Sequence, residues 1–197
     1  MEINKSKVKI QNSKKVEVEE EVEVEEKNKK SMLGTEFKEQ AIYRMEESRK
    51  RVLACLDLVP EERIWEQPNP ALNSIGNLVL HLCGNITQYI LTTLGGAADH
   101  RNRDAEFSTR GGKNRAELKT LFDEVLQQSI DRIASATDQE LALVKSVQVY
   151  ELTGIGIILH VTEHLSYHTG QIALLTKLIT AEDLGFYKGL DLNKKHQ

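Results

Sequence analysis

Cysteine is almost missing from this chain. Cys55 and Cys83 are the only two in 197 residues, and they form no CxxC pair. A disulfide framework is therefore excluded, and the usage fits a reducing cytosol. Long hydrophobic runs are missing too: no stretch approaches the ~18 uninterrupted apolar residues of a membrane span, and the N-terminus has no apolar leader segment. Excess positive charge is also lacking. Lys and Arg number 26 against 30 Asp and Glu, giving a formal net charge of -4. No basic cluster is interleaved with aromatics, so a nucleic-acid footprint is absent. What remains is 40% hydrophobic and 28% charged, ordinary for a globular protein. The length suits one domain with a full core and is short for two. These features lead to the expectation of a cytoplasmic protein that binds neither membrane nor nucleic acid.

Residues 1–31 differ from the rest. They hold eight Lys and eight Glu, with no aromatic and few core formers. The run "VEVEEEVEVEE" alternates like a strand, but its glutamates repel one another and no partner strand is evident. Disorder or loose helix is expected there, with a compact domain over 32–197. Within that domain, Ile42, Met45, Val52, Leu53 and Leu56 give a helical rhythm over 36–59, ended by Pro60. A connector carrying Pro68 and Pro70 follows. Asn73 or Ser74 caps a second helix that stops at Gly95-Gly96, and 95–113 reads as a long polar loop. Asn114, with Glu117 three residues on, caps a third helix to about Ala136. The segment 141–152 is β-branched and reads as extended. A fourth helix runs from near Gly154 to about Thr180. Four long amphipathic helices predict an all-α four-helix bundle.

Three of the six histidines fall in "HVTEHLSYHTGQI", residues 160–172. At about 100° per residue, His164 and His168 take two consecutive slots in the core series Ile157, Val161, His164, His168, Ile172, Leu175, Ile179. His160 lies about 40° off that stripe and, at about 12 Å from His168 along the axis, is a poor co-ligand with it. Two imidazoles in core slots are costly to bury unless their nitrogens find partners. Either they bond polar groups on a facing helix, or they converge on one cation, since residues four apart have Cβ atoms about 6 Å apart. The pair is not a zincin HExxH, because Leu165, Ser166 and Tyr167 separate the histidines and Glu163 lies outside.

The second helix offers a third ligand. Ser74, Asn77, His81, Asn85, Gln88 and Thr92 form an uncharged polar stripe on an otherwise apolar helix. Such a stripe either meets solvent through a gap or lines an internal pocket. Three imidazoles from two helices would leave at least one coordination position open for water, hydroxide or a thiolate. Asn85, Ser166 and Tyr167 are nearby candidates to accept their outward N–H groups. The donor set does not name the metal: Zn or Ni leads, with Fe, Mn or Cu also admitted. Arg101, Arg103, Asp104 and Glu106 in the long loop either close over a substrate or form a solvated charged loop. Cys83, about 160° round from His81, reads as a packing residue.

"NSIGNLVLHLCGNITQYI" and "HVTEHLSYHTGQIALLTKL" resemble the two signature helices of the DinB/YfiT-like superfamily of metalloenzymes, whose namesake is the damage-inducible protein rather than the polymerase. The resemblance covers about 32–187, with "ERIWEQPNP", "RNRDAEF" and "DLGFY" included. It implies a four-helix bundle with a long crossover connection, a homodimer, and a divalent metal on His81, His164 and His168. It implies no ligand role for His160. The resemblance implies uneven activities, among them thiol S-transferases using bacillithiol, mycothiol-dependent isomerases and glutathione-type enzymes, so a thiol co-substrate and an electrophile are the partners it points to. A non-catalytic, stress-responsive metal-binding protein and a metal-dependent hydrolase are the alternatives.

Overall fold

The computed structural model describes the backbone of residues 3–195 and the side chains of residues 31–195. By internal contacts the chain divides into residues 1–39 and 40–197, and the packing and the site described below lie in the second unit. The first helix, α1, spans Ile3–Leu58. The side chains of residues 1–30 lie outside the described set, and with them the expectation for the charged extension.

The chain turns at Pro60 into a short 3-10 segment, Glu61–Arg63, and the connector folds onto the start of α2, Ile75–Ile86. Gly76 is required there, because a Cβ would lie 2.7 Å from the Trp65 ring. The Trp65 indole N–H donates to the Lys113 carbonyl at 2.8 Å, pinning the connector to the segment before the next long helix. Ser74 caps α2 in a reciprocal box with Asn77, so of the two expected caps it is Ser74 that serves.

The second helix does not stay α to its end. From Thr87 to Leu94 it continues as a π-helix, with the Gly95 N–H bonding the Ile90 carbonyl five residues back. The Thr93 hydroxyl takes the Gln88 carbonyl, also five residues back, at 2.8 Å. Such widened turns are rare and cluster at functional sites. The expected polar loop contains a short helix, α3 (Arg103–Ser108), started by the Asn102 side chain. Asn114 and Glu117 form the expected capping box on α4, Arg115–Ala134.

Next come α5 (Asp138–Ala142) and an antiparallel hairpin of β1 (Val144–Val147) and β2 (Tyr150–Thr153). The extended reading of 141–152 thus resolves into the last residues of α5 and this hairpin. The helix α5 escaped the sequence reading, although Thr137 and Glu140 carry the spacing of a capping box. The helix α6, Gly154–Thr180, has the expected bounds, and Thr153 caps it.

The fold is all-α with one small hairpin, and the residue-40-onward part of α1, α2 with its π extension, α4 and α6 make the four-helix bundle. Met45, Val52 and Leu56 of α1, Leu82 and Ile90 of the second helix, Phe122 and Leu126 of α4, and Ile157, Val161 and Leu165 of α6 are essentially sealed from solvent. Salt bridges Arg49–Asp123 and Lys119–Asp57 join α1 to α4 at the surface. Burial pushes the Cys55 thiol up, against a hydrogen bond with Thr176 that lowers it, and this contact joins α1 to α6.

Candidate metal centre

The α2 and α6 helices bring His81, His164 and His168 to one point. A single nitrogen from each imidazole lies within 4.8 Å of the other two. His81 meets both α6 rings edge-on, with centroids 5.0 Å from His164 and 4.9 Å from His168. His81 and His168 are buried and His164 is half-buried. Two of the three residues thus come from core slots in α6 and one from the polar stripe of α2.

The outward nitrogens fix two tautomers. His81 Nδ1 lies 2.8 Å from Glu106 Oε2, and His168 Nδ1 lies 2.7 Å from Gln171 Oε1. Both partner oxygens accept, so each Nδ1 carries the proton and each Nε2 presents a lone pair. His164 Nε2 sits 2.9 Å from His81 Nε2. Nitrogens bound to one ion at about 2.1 Å in tetrahedral geometry stand about 3.4 Å apart. The 2.9 Å pair is somewhat closer than that, and all three nitrogens lie within 4.8 Å of one another. The residues therefore fit a divalent ion, and the cluster is compatible with metal binding.

Electrostatics favour the uncharged rings a metal needs. Burial pushes His164 down to about 3, with the neighbouring His168, His81 and His160 adding repulsion. Burial also lowers His168. Glu106 is 8% exposed, and burial alone would raise it. Hydrogen bonds from Arg101 and His81, together with the Arg101 charge, outweigh burial and hold its carboxyl below the ordinary 4.5. Arg101 grips it beside the imidazole, Nε to Oε1 at 2.8 Å and Nη2 to Oε2 at 3.0 Å, with Nη2 3.3 Å from His81 Nδ1.

Glu106 and Arg101 reach this position because the loop is docked rather than solvated. Asn77 in the polar stripe donates to the carbonyls of Glu106 and Thr109, at 2.9 and 2.8 Å. Gly84 leaves the space for the carboxylate: a Cβ there would lie 1.9 Å from Glu106 Oε1. Much of the stripe therefore holds the loop in place. Arg103 lies over the Phe107 ring at 4.8 Å, and Phe107 in turn packs 4.6 Å from His81. Asp104 is exposed.

The hairpin adds a second tether. Arg101 Nη1 and Gln148 Nε2 both donate to Gln88 Oε1, at 2.9 and 2.8 Å, and the Tyr89 hydroxyl donates to Gln148 Oε1 at 3.2 Å. Gln148 holds a left-handed backbone, φ 53°, at the hairpin tip.

Several expected roles fall elsewhere. His160, for which no ligand role was expected, stacks on Tyr89, with centroids 4.3 Å apart, and lies outside the cluster. Ser166 is exposed, and Tyr167 meets His168 through its ring edge at 5.0 Å. Asn85 is buried, but its Oδ1 has no hydrogen-bond partner among the described residues. The partners of the outward nitrogens are Glu106 and Gln171. Gln171 was legible as the residue three past His168 on the same helix, whereas Glu106 needed the fold to bring a distant loop home. Cys83 is buried beside Glu106, and burial with that negative neighbour pushes its thiol up to about 12. It is a packing residue.

The family model described as "Protein of unknown function (DUF1572)" matches residues 32–193. The chain belongs to this family. Its fold is DinB-like. A DinB-like protein from Bacillus cereus ATCC 10987 superposes with a TM-score of 0.57 at 16% identity, covering 72% of this chain and 89% of that one. A DinB-like protein from Bacillus subtilis gives 0.56 at 14% identity, covering 73% and 94%. A conserved protein from Enterococcus faecalis gives 0.57 at 14% identity, covering 77% and 98%. No curated protein matches the chain. Among the described residues, no helix is long and apolar enough to cross a membrane.

Proposed function

We propose that this DUF1572 member is a divalent-metal-dependent enzyme in which His81, His164 and His168 hold Zn or Ni and a low-molecular-weight thiol is activated for transfer to an electrophile. The observation that supports it best is the convergence of three imidazole nitrogens within 4.8 Å, two of them with their lone pairs turned inward by Glu106 and Gln171. The ion would supply Lewis acidity, lowering the pKa of a thiol or water at its open position.

The chain's own residues do the rest. Glu106 keeps the His81 proton on Nδ1 and, fixed by Arg101, holds the ring's orientation. Phe107 covers one face of His81 and limits water there. Cys83, with its thiol pushed up to about 12, stays protonated and leaves the nucleophile's part to an incoming group. The hydrolytic alternative uses the same residues with water in place of the thiol.

Elemental analysis of the purified protein should find about one equivalent of divalent metal, and His164→Ala should remove it. Full occupancy in that variant would sink the ligand set. Conjugation of bacillithiol, glutathione or another small thiol to a generic electrophile should require the metal. Turnover of an ester or amide without thiol would move the assignment to hydrolysis.

A further inference from the structure

Beside the three-histidine cluster, two buried polar atoms have no hydrogen-bond partner among the described residues: Asn85 Oδ1 and His160 Nε2. Asn85 is only 4% exposed, so bulk water does not serve its carbonyl. Native proteins rarely leave such atoms unmet, and where they do a ligand or ordered water is the usual explanation.

The helix pairing places the residues that carry these two atoms on neighbouring rungs. His81 faces His164 and His168, while Tyr89, eight residues further along the second helix, stacks on His160, four residues earlier in α6. The two helices therefore run antiparallel past each other. Asn85 lies midway between His81 and Tyr89 in sequence, about 6 Å along the axis from His81. It occupies the rung between the histidine cluster and the Tyr89–His160 stack. The nearby donors are committed elsewhere: Arg101 to Glu106 and Gln88, and the Gln148 amide to Gln88.

We propose that Asn85 and His160 form a ligand subsite beside the histidine cluster, and that it takes the hydroxyl of a small bifunctional molecule whose other end coordinates the metal. One hydroxyl answers both orphans, donating to Asn85 Oδ1 while accepting from His160 Nε2–H. Asn85 is one helical turn from His81, so a short spacer joins the hydroxyl to the coordinating atom. The ligand class is therefore a coordinating atom and a hydroxyl separated by about two carbons. This rests on the metal-site reading above.

The probes are 2-mercaptoethanol and its near-isostere 1-propanethiol, titrated into the cobalt-loaded full chain while thiolate-to-cobalt absorption is followed. The hydroxyl-bearing thiol should bind about three- to tenfold more tightly, the yield of one neutral hydrogen bond to an otherwise unmet group. Asn85→Ala and His160→Phe should each bring the two affinities within about twofold, with cobalt stoichiometry unchanged and helical circular dichroism retained. Equal affinities in the wild-type chain overturn the subsite whatever the variants do, and so does a preference that persists in both variants. Absence of a thiolate band with either probe overturns it as well. In all these cases, bound cobalt leaves the metal site standing. Failure to bind cobalt at all overturns both.

Discussion

Glu106 shows how a residue outside the cluster can govern it. Its carboxylate orients His81 from a loop, and Arg101 keeps it charged and in place. Carboxylate partners of this kind are worth roughly 10- to 100-fold in metal affinity. Glu106→Gln, which keeps the shape and loses the charge, should weaken metal binding by about that factor in competition with a chromophoric chelator. An unchanged affinity would remove Glu106 from the centre. Gly84 permits a separate test that touches no ligand. Alanine there would bring Cβ to 1.9 Å from Glu106 Oε1, but the obstructed atom is the end of a flexible side chain. Stability should hardly fall, since Gly to Ala inside a helix favours folding by up to about 1 kcal/mol. Metal affinity should drop with the displaced carboxylate. A Gly84→Ala variant that unfolds more easily yet binds metal normally would contradict this account.

Helix starts are where sequence and structure agree most closely. Ser74 and Asn114 are short polar side chains placed just before apolar periodic runs, and each accepts a backbone N–H at the start of its helix, as Thr153 also does before α6. Such signals are local, so counting residues finds them. The pairing of His81 with the two α6 histidines was half legible: counting faces separated His164 and His168 from His160, but only the fold brings α2 alongside α6. The π turn at Thr87–Leu94 and the docking of Glu106 depend on tertiary contacts, and nothing in the periodicity announces them. Caps offer a calibrated test at this scale. Asn114→Ala should cost about 1 kcal/mol in urea unfolding. Ser74→Ala should cost more, because the Ser74 hydroxyl also donates to Asn77 Oδ1 at 2.6 Å, and Asn77 holds the Glu106 loop. Equal costs would mean that the loop is held by other contacts. The α5 cap adds a pH dependence. Glu140 is held below its ordinary 4.5 by the Thr137 backbone N–H, then the Thr137 hydroxyl and Arg132. A depressed carboxyl stabilises the fold above its unfolded value and loses that contribution as pH falls through the folded one. The stability advantage of the wild type over Glu140→Gln should therefore be full at pH 7, shrink below about pH 4.5, and vanish in stronger acid. An advantage unchanged across that window would assign Glu140 a purely steric role.

At the scale of the whole molecule, the histidines join two helices of the bundle that are far apart in sequence. His81 and His164 are 83 residues apart, and the unfolded chain has no preformed site there. An ion held by both helices therefore binds the native state and not the unfolded one, so metal affinity appears directly as folding stability. At a hundredfold excess over its dissociation constant, a ligand of this kind adds about 2.7 kcal/mol. For a domain of this size each kcal/mol moves the melting temperature by about 2–4 °C, so saturating zinc or nickel should raise it by roughly 5–10 °C. His164→Ala should abolish the rise, whereas His160→Phe, which alters the ring stacked on Tyr89, should keep it. The contrast matters because both residues face the second helix from α6 and both rings are partly buried. A general effect of zinc or nickel on the bundle would raise the two variants alike, and only coordination at the cluster separates them. Calorimetric scans of the metal-stripped protein, with and without each ion, measure the difference. An equal rise in both variants, or none in the wild type with any divalent ion, would mean that the three imidazoles are packed for the fold alone.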